Sequence, residues 1–113
     1  NIFIIGATGE RDDHNLANIL IAQKYSDALN IEMVTNFFQI FFVRESKEIL
    51  EKKNRNLSMI SSIDDNRITT SGLEYNLSDQ KLNSFSHGIS NRIISDKCLI
   101  KSEEKLILFI EIE

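Results

Sequence analysis

The sequence has no proline and no tryptophan, and only one cysteine and four glycines in 113 residues. Without proline, turns must be made by asparagine, aspartate, serine and the few glycines, which suit turn backbones. The single cysteine, Cys98, cannot close an internal disulfide, so no disulfide framework is present and a reducing cytoplasm is the expected setting. Free cysteines are mostly small buried hydrophobes, and Cys98 is expected to be one. No apolar run approaches the roughly 20 residues that cross a bilayer, and no signal-peptide pattern is present, so no membrane partner is expected. Positive charge is also scarce. Thirteen Lys and Arg against seventeen Asp and Glu leave a net charge of −4. A nucleic-acid groove needs one strongly basic face, which excludes nucleic acid as the expected partner. Phosphate held through a metal ion remains compatible with this balance.

The chain opens with an apolar, β-branched run, Asn1-Ile2-Phe3-Ile4-Ile5. It lacks polar alternation, as does a parallel strand covered on both faces. Asn1 is not a start methionine, and a strand at the first residue predicts that the chain is an excerpt of a longer one. Gly6 to Asp13 is a polar turn. From His14 to about Ala28, Leu16, Ile19, Leu20, Tyr25 and Leu29 fall near helical spacing and predict an amphipathic helix. A strand, a turn and a helix in this order form the crevice where open α/β sheets bind ligands. In the turn, Asp12 and Asp13 can take Mg²⁺ while Arg11 and backbone amides take phosphate oxygens. The same aspartates can instead cap the helix, and Arg11 can pair with a neighbouring acid.

Ile31 to Thr35 reads as the next strand, and Phe38 to Val43 as another, antiparallel at the sheet edge. Phe37, Phe38, Phe41 and Phe42 form an expected core or subunit-contact cluster. From Leu57 onward short β runs alternate with polar turns: 57–61, 67–70, 74–77, 90–94, 97–101 and 105–113, with a turn at Ser102-Glu103-Glu104. Such texture points to a sandwich or barrel. In the last run Leu106, Leu108, Ile110 and Ile112 alternate with outward Glu111 and Glu113. The expected fold is therefore α/β plus all-β: residues 1–45 end a Rossmann-like parallel-sheet lobe, and residues 46–113 form an antiparallel β-sandwich lobe.

Three segments carry a family resemblance. Gly6-Ala7-Thr8-Gly9-Glu10-Arg11-Asp12-Asp13-His14-Asn15-Leu16-Ala17-Asn18 resembles the Gly-Ala-Thr-Gly-Gly-Arg-x-Asp-His-x-x-x-Asn signature of the thiamine pyrophosphokinases, with Glu10 in place of a glycine. Ile68-Thr69-Thr70-Ser71-Gly72-Leu73-Glu74-Tyr75-Asn76-Leu77 resembles that family's Thr-Thr-x-Gly-Leu-x-Tyr/Trp-x-Leu. Gly88-Ile89-Ser90-Asn91 resembles its Gly-x-Ser-Asn turn. Three motifs in family order over nearly the whole chain are far more specific than any one.

The resemblance implies a thiamine diphosphokinase that transfers a diphosphate group from ATP to thiamine and releases AMP, with Mg²⁺ as cofactor. It implies a homodimer, the β-lobe of one subunit covering the α/β lobe of the other. Carried over residue by residue, it assigns Asp13 to metal, nucleotide and catalysis, Arg11 to nucleotide phosphate and catalysis, and Thr8 and Gly9 to the nucleotide. Ser90 and Asn91 fall on the thiamine side. Glu10 puts close backbone approach at that point in question. The helix-favouring run Ser46 to Asn56 is expected to be a strand, as in the family. His14 has no second histidine at ligand spacing, His87 being far along the chain, and Asn18 could brace the loop from one turn beyond. The family's further aspartate motifs have no counterpart here, so this chain alone is not expected to catalyse the transfer. Ring stacking on thiamine must come from a phenylalanine or tyrosine. On composition alone Gly88 to Asn91 is an ordinary hairpin turn. A non-catalytic module that binds a phosphorylated metabolite, or only builds a dimer, is the alternative reading.

Overall fold

A computed structural model describes residues 2–6, 9, 11–82 and 88–112. Strand β1 (Ile2–Ile5), helix α1 (Asp12–Tyr25) and strand β2 (Ile31–Val34) come first, with β1 and β2 parallel from Ile2↔Ile31 to Ile5↔Val34. Then follow β3 (Phe38–Leu50), β4 (Asn56–Ile60), β5 (Arg67–Ser71), β6 (Gln80–Lys81), β7 (Asn91–Arg92) and β8 (Lys97–Glu111). The sheet runs β1-β2-β3-β8-β4-β7, and β5, which carries β6, pairs with the other half of β8. Among the described residues parallel pairing is confined to β1 and β2, so the chain is a small, mostly-β unit with a mixed sheet.

Strand β8 is the spine. Its first half pairs with β5 through Ile68↔Ser102 to Ser71↔Leu99, its second half with β4 through Leu57↔Ile110 to Ile60↔Ile107, and both halves pair with β3. The turn expected at Ser102-Glu103-Glu104 is instead continuous strand. Asn66 explains how: fully buried, it donates from Nδ2 to Ser61 Oγ and Ser102 Oγ at 3.1 Å, and its Oδ1 accepts the Glu104 N–H at 2.9 Å. A buried polar group must be paired, and this one ties the Asp64–Asp65 turn to the strand.

Strand β3 is likewise not at the edge, because it lies between β2 and β8. Its second half, Ser46 to Leu50, pairs with Lys101 to Lys97, and buried Ile49 anchors it. The ladder and that burial outweigh a short helix-favouring run, so the extended reading of this stretch holds. A register shift between Val43 and Glu45, with Glu45 at φ 65°, bends the strand at its midpoint. The run 74–77 is not a strand. Gly72, at φ +83°, turns the chain after β5, and only Leu73 makes a bridge, to Ile93.

Two cores result. One lies within the β region, where Leu57, Ile68, Ile93, Cys98, Ile100 and Leu108 are completely buried. The other lies under α1, between Ala22 and the sheet residues Ile31, Met33, Ile40 and Ile107. The helix starts at Asp12, two residues before the periodicity predicts, and packs through Ala22 and half-buried Ile19. Leu16, Leu20 and Tyr25, expected in the buried stripe, are exposed. β1 is also less covered than its sequence predicts, with Phe3 60% and Ile5 77% exposed at the edge of the described sheet.

Candidate functional site

The first candidate segment is the loop between β1 and α1. Its tie is Asn15, whose Oδ1 accepts the Gly9 N–H at 2.7 Å and whose Nδ2 donates to the Gly9 carbonyl at 2.8 Å. This reciprocal clamp braces the loop from the residue after His14. The helix N-cap is Arg11, with extended backbone and no side-chain capping bond. Asp12 and Asp13 sit in the first turn, where negative charge suits the helix dipole, and Asp13 rather than the N-cap residue satisfies one of the free first-turn amides. Asp13 Oδ2 accepts from Arg11 Nη2 at 2.9 Å, and Asp13 Oδ1 accepts the His14 N–H at 2.9 Å. Both partners of the ion pair are about two-thirds exposed. Thr8 and Glu10, like His87, lie outside the described residues.

A cleft of about 400 Å³ opens at the carboxyl ends of β1 and β2. Gly9 and Asn15 form one wall, and Thr35, Asn36 and Phe37 form the other; Arg11 and Asp13 stand outside its lining. Among the described residues no three His, Cys, Asp or Glu converge as a metal site. Asp12 and Asp13 occupy successive helix positions, which face different directions. These two carboxylates do not by themselves form a magnesium site.

The second candidate segment lies at the far end of the β region. A Cβ on Gly72 would stand 2.5 Å from the Lys97 carbonyl oxygen, and one on Gly88 would stand 2.5 Å from that of Met59. Both glycines are therefore demanded by packing. They bring two sequence motifs together. Glu74 N–H donates to the Arg92 carbonyl at 2.8 Å, and Ile94 N–H to the Gly72 carbonyl at 2.9 Å. Thr70 closes the first segment, since its Oγ1 accepts the Leu77 N–H at 2.9 Å. Asn91, 8% exposed, grips that segment at Tyr75: its Nδ2 donates to the Tyr75 carbonyl at 2.7 Å and its Oδ1 accepts the Tyr75 N–H at 3.1 Å. Ser90 is exposed, in left-handed backbone at φ 62°, and its N–H donates to Ser58 Oγ at 2.9 Å. Around this turn Tyr75 is 68% exposed, Ile89 48% and Ile94 49%. Tyr75 is the functional candidate the sequence left unnamed; its signal was its place inside the second motif.

The two segments lie on opposite edges of one sheet. An unbroken row of paired residues runs Ile5↔Val34↔Gln39↔Ile110↔Leu57↔Asn91. Five inter-strand steps separate its ends, about 24 Å along the sheet. Within one copy the β1–α1 loop and the Ser90 turn therefore belong to opposite end strands of the sheet.

The comparisons with known proteins fit this geometry. No curated protein sequence matches the chain. Over 97% of its length the chain superposes on thiamine pyrophosphokinase from Bacillus subtilis, with a TM-score of 0.83 and 26% identity, and covers 55% of that protein. Thiamin pyrophosphokinase from Candida albicans shares the fold over 98% of the chain, with a TM-score of 0.84 and 17% identity, 44% of that protein being covered. The yeast enzyme gives a TM-score of 0.77 at 18% identity over 96% of the chain and 39% of its own length. The chain spans about half the length of the solved relatives it matches. Residues 43–107, more than half of the chain, match the family described as thiamin pyrophosphokinase, vitamin B1 binding domain. That match takes in the Gly72 loop and the Ser90 turn together, and through it the chain belongs to the thiamin pyrophosphokinase family.

Proposed function

We propose that the protein acts as a thiamine diphosphokinase, transferring a diphosphate group from ATP to the hydroxyethyl oxygen of thiamine to give thiamine diphosphate and AMP. The observation that carries this reading is the lacing of the Gly72–Leu77 loop to the Gly88–Asn91 turn inside a vitamin B1 binding domain. On the vitamin side, Ser90 offers a hydroxyl to the aminopyrimidine edge and Tyr75 offers its exposed ring, the polar and aromatic pairing that orients a ligand in an apolar pocket.

On the nucleotide side, Thr8, Gly9, Arg11 and Asp13 serve the phosphates. Phosphoryl-type transfer depends on positioning and charge neutralisation rather than on a covalent nucleophile. Arg11 can turn to phosphate at little cost, because an exposed ion pair with Asp13 contributes little. Asp13 would hold Mg²⁺ through its one carboxylate, with the remaining oxygen ligands coming from outside the described residues or from the nucleotide, and the metal would supply charge neutralisation at the phosphates. Residues 1–45 then belong to the Rossmann-like nucleotide lobe and residues 46–113 to the β-sandwich vitamin lobe. The bend at Val43 to Glu45 and the family match beginning at residue 43 support that division. The placement of the two segments on opposite end strands of the sheet supports a homodimer in which one copy's Ser90 turn serves its partner's Asp13. A cytoplasmic setting suits the lone buried thiol.

Incubating the intact protein with thiamine, ATP and Mg²⁺ tests the proposal, with thiamine diphosphate and AMP as the expected products. Tyr75→Ala should weaken thiamine binding by about five- to tenfold. Thiamine binding without turnover would favour a non-catalytic binding module, which the lack of converging carboxylates among the described residues also favours. Failure to bind either substrate would overturn both readings.

A further inference from the structure

Asn91 carries the resemblance to a vitamin-contacting turn, yet its side chain points its chemistry inward. An amide oxygen has two lone pairs, and both are occupied: Asn91 Oδ1 accepts the Tyr75 N–H at 3.1 Å and the Arg92 N–H at 2.8 Å. One of the two Nδ2 protons goes to the Tyr75 carbonyl at 2.7 Å. At most one donor remains, on a residue only 8% exposed. Tyr75 is the reverse case, with both backbone groups held by a single side chain and its own side chain in solvent.

We propose that Asn91 is a positioning residue: it holds the backbone of Tyr75 so that the phenol ring faces the vitamin, and it does not itself contact the vitamin. This rests on the vitamin-binding reading above. The physical reason is that residues 74–77 have no strand ladder of their own. Glu74 N–H reaches the Arg92 carbonyl and Leu77 is held by Thr70, which leaves Tyr75 between two fixed points. The Asn91 amide replaces the missing ladder with a donor and an acceptor on one rigid group, as a cross-strand backbone pair would. Ordering the ring before the ligand arrives reduces the entropy lost on binding. Gly88 makes the arrangement possible, since its lack of Cβ lets the turn reach the Met59 backbone and seats Asn91 at the right depth.

A double-mutant cycle on the intact protein, read by calorimetry with thiamine, tests this. Asn91→Ala should weaken thiamine binding about tenfold with Tyr75 present and less than about twofold in the Tyr75→Ala background, because the grip then has no ring to aim. Hydrogen exchange at the Tyr75 amide should accelerate in Asn91→Ala while the amides of β8 keep their protection. If Asn91→Ala does not fold, Asn91→Asp, which keeps the acceptor and loses the donor to the Tyr75 carbonyl, supplies the same cycle. Losses that multiply independently of Tyr75, or an unchanged affinity in Asn91→Ala, overturn the inference alone. No thiamine binding by the unsubstituted protein overturns the vitamin-binding reading and the inference with it.

Discussion

At Gly72 two penalties coincide, a left-handed φ of +83° and a Lys97 carbonyl 2.5 Å from where a Cβ would lie. Gly88 has only the second kind, against the Met59 carbonyl. In both cases the obstacle is backbone and cannot rotate away. Gly72→Ala should cost about 2–4 kcal/mol of stability in chemical denaturation, the sum of strain and overpacking, and Gly88→Ala about 1–3 kcal/mol from overpacking alone. Among the described residues nothing lies within 4 Å of where a methyl on Gly9 would stand, and its φ is not positive, so Gly9→Ala should stay within about 0.5 kcal/mol of the parent. That variant can probe the β1–α1 loop without disturbing the fold. Cys98 gives a pH prediction. Burial pushes its thiol up from 9.0 to about 11. The unfolded chain therefore loses its proton first, and the stability that burial of the neutral thiol contributes, complete below pH 9, falls as pH rises toward 11. Cys98→Ala should flatten the fall, and thiol reagents should label Cys98 only as the protein unfolds.

Among the elements, α1 depends on one side chain at its end. Lys105 Nζ, 15% exposed, donates to the Gln23 carbonyl at 2.6 Å and meets Asp27 Oδ1 at 2.7 Å. Arg44 Nη1 adds a bond to the Asp27 carbonyl at 3.0 Å. Cations at a helix C-terminus satisfy its last carbonyls and suit its dipole. Lys105→Met should lower stability by about 1–2 kcal/mol through the lost carbonyl bond, with faster amide exchange in the last turn of α1 as the local readout. The hydrogen bond from Lys105 and its charge hold the Asp27 carboxyl below its ordinary 3.8, so this link is intact above that value and is lost as pH falls through the lowered one. In Lys105→Met that part of the acid sensitivity should shrink. The same contact joins the helix to β8.

Across the whole molecule, the row from Ile5 to Asn91 keeps the two candidate segments on opposite edges. If the site is shared between copies, an Asp13→Asn protein mixed with a Tyr75→Ala protein, assayed at thiamine far below saturation where each alone is impaired, should show more activity than the sum of the two alone. Random exchange places both lesions on one site in half of the heterodimer's sites, leaving the other site whole, so about a quarter of parental activity is expected. Absence of recovery under conditions where subunits demonstrably exchange would reject a shared site.

The sequence by itself determined the strand, turn and helix at the start, the β texture after residue 57 and the buried state of Cys98, because these follow from local periodicity, turn chemistry and composition. Its motifs also pointed to the vitamin-binding family before any coordinates. Tertiary structure alone decided that β8 runs unbroken through Ser102-Glu103-Glu104, since the buried partner that satisfies those polar residues, Asn66, lies 36 positions away from Ser102. It decided that β3 is interior, which depends on pairing with β8 across the chain. It also separated Asn91 from Ser90 in role: adjacent in sequence, one is turned inward to hold Tyr75 and the other is exposed. Neighbouring residues of a turn share a motif, but the direction each side chain faces is set by what the fold packs beneath it.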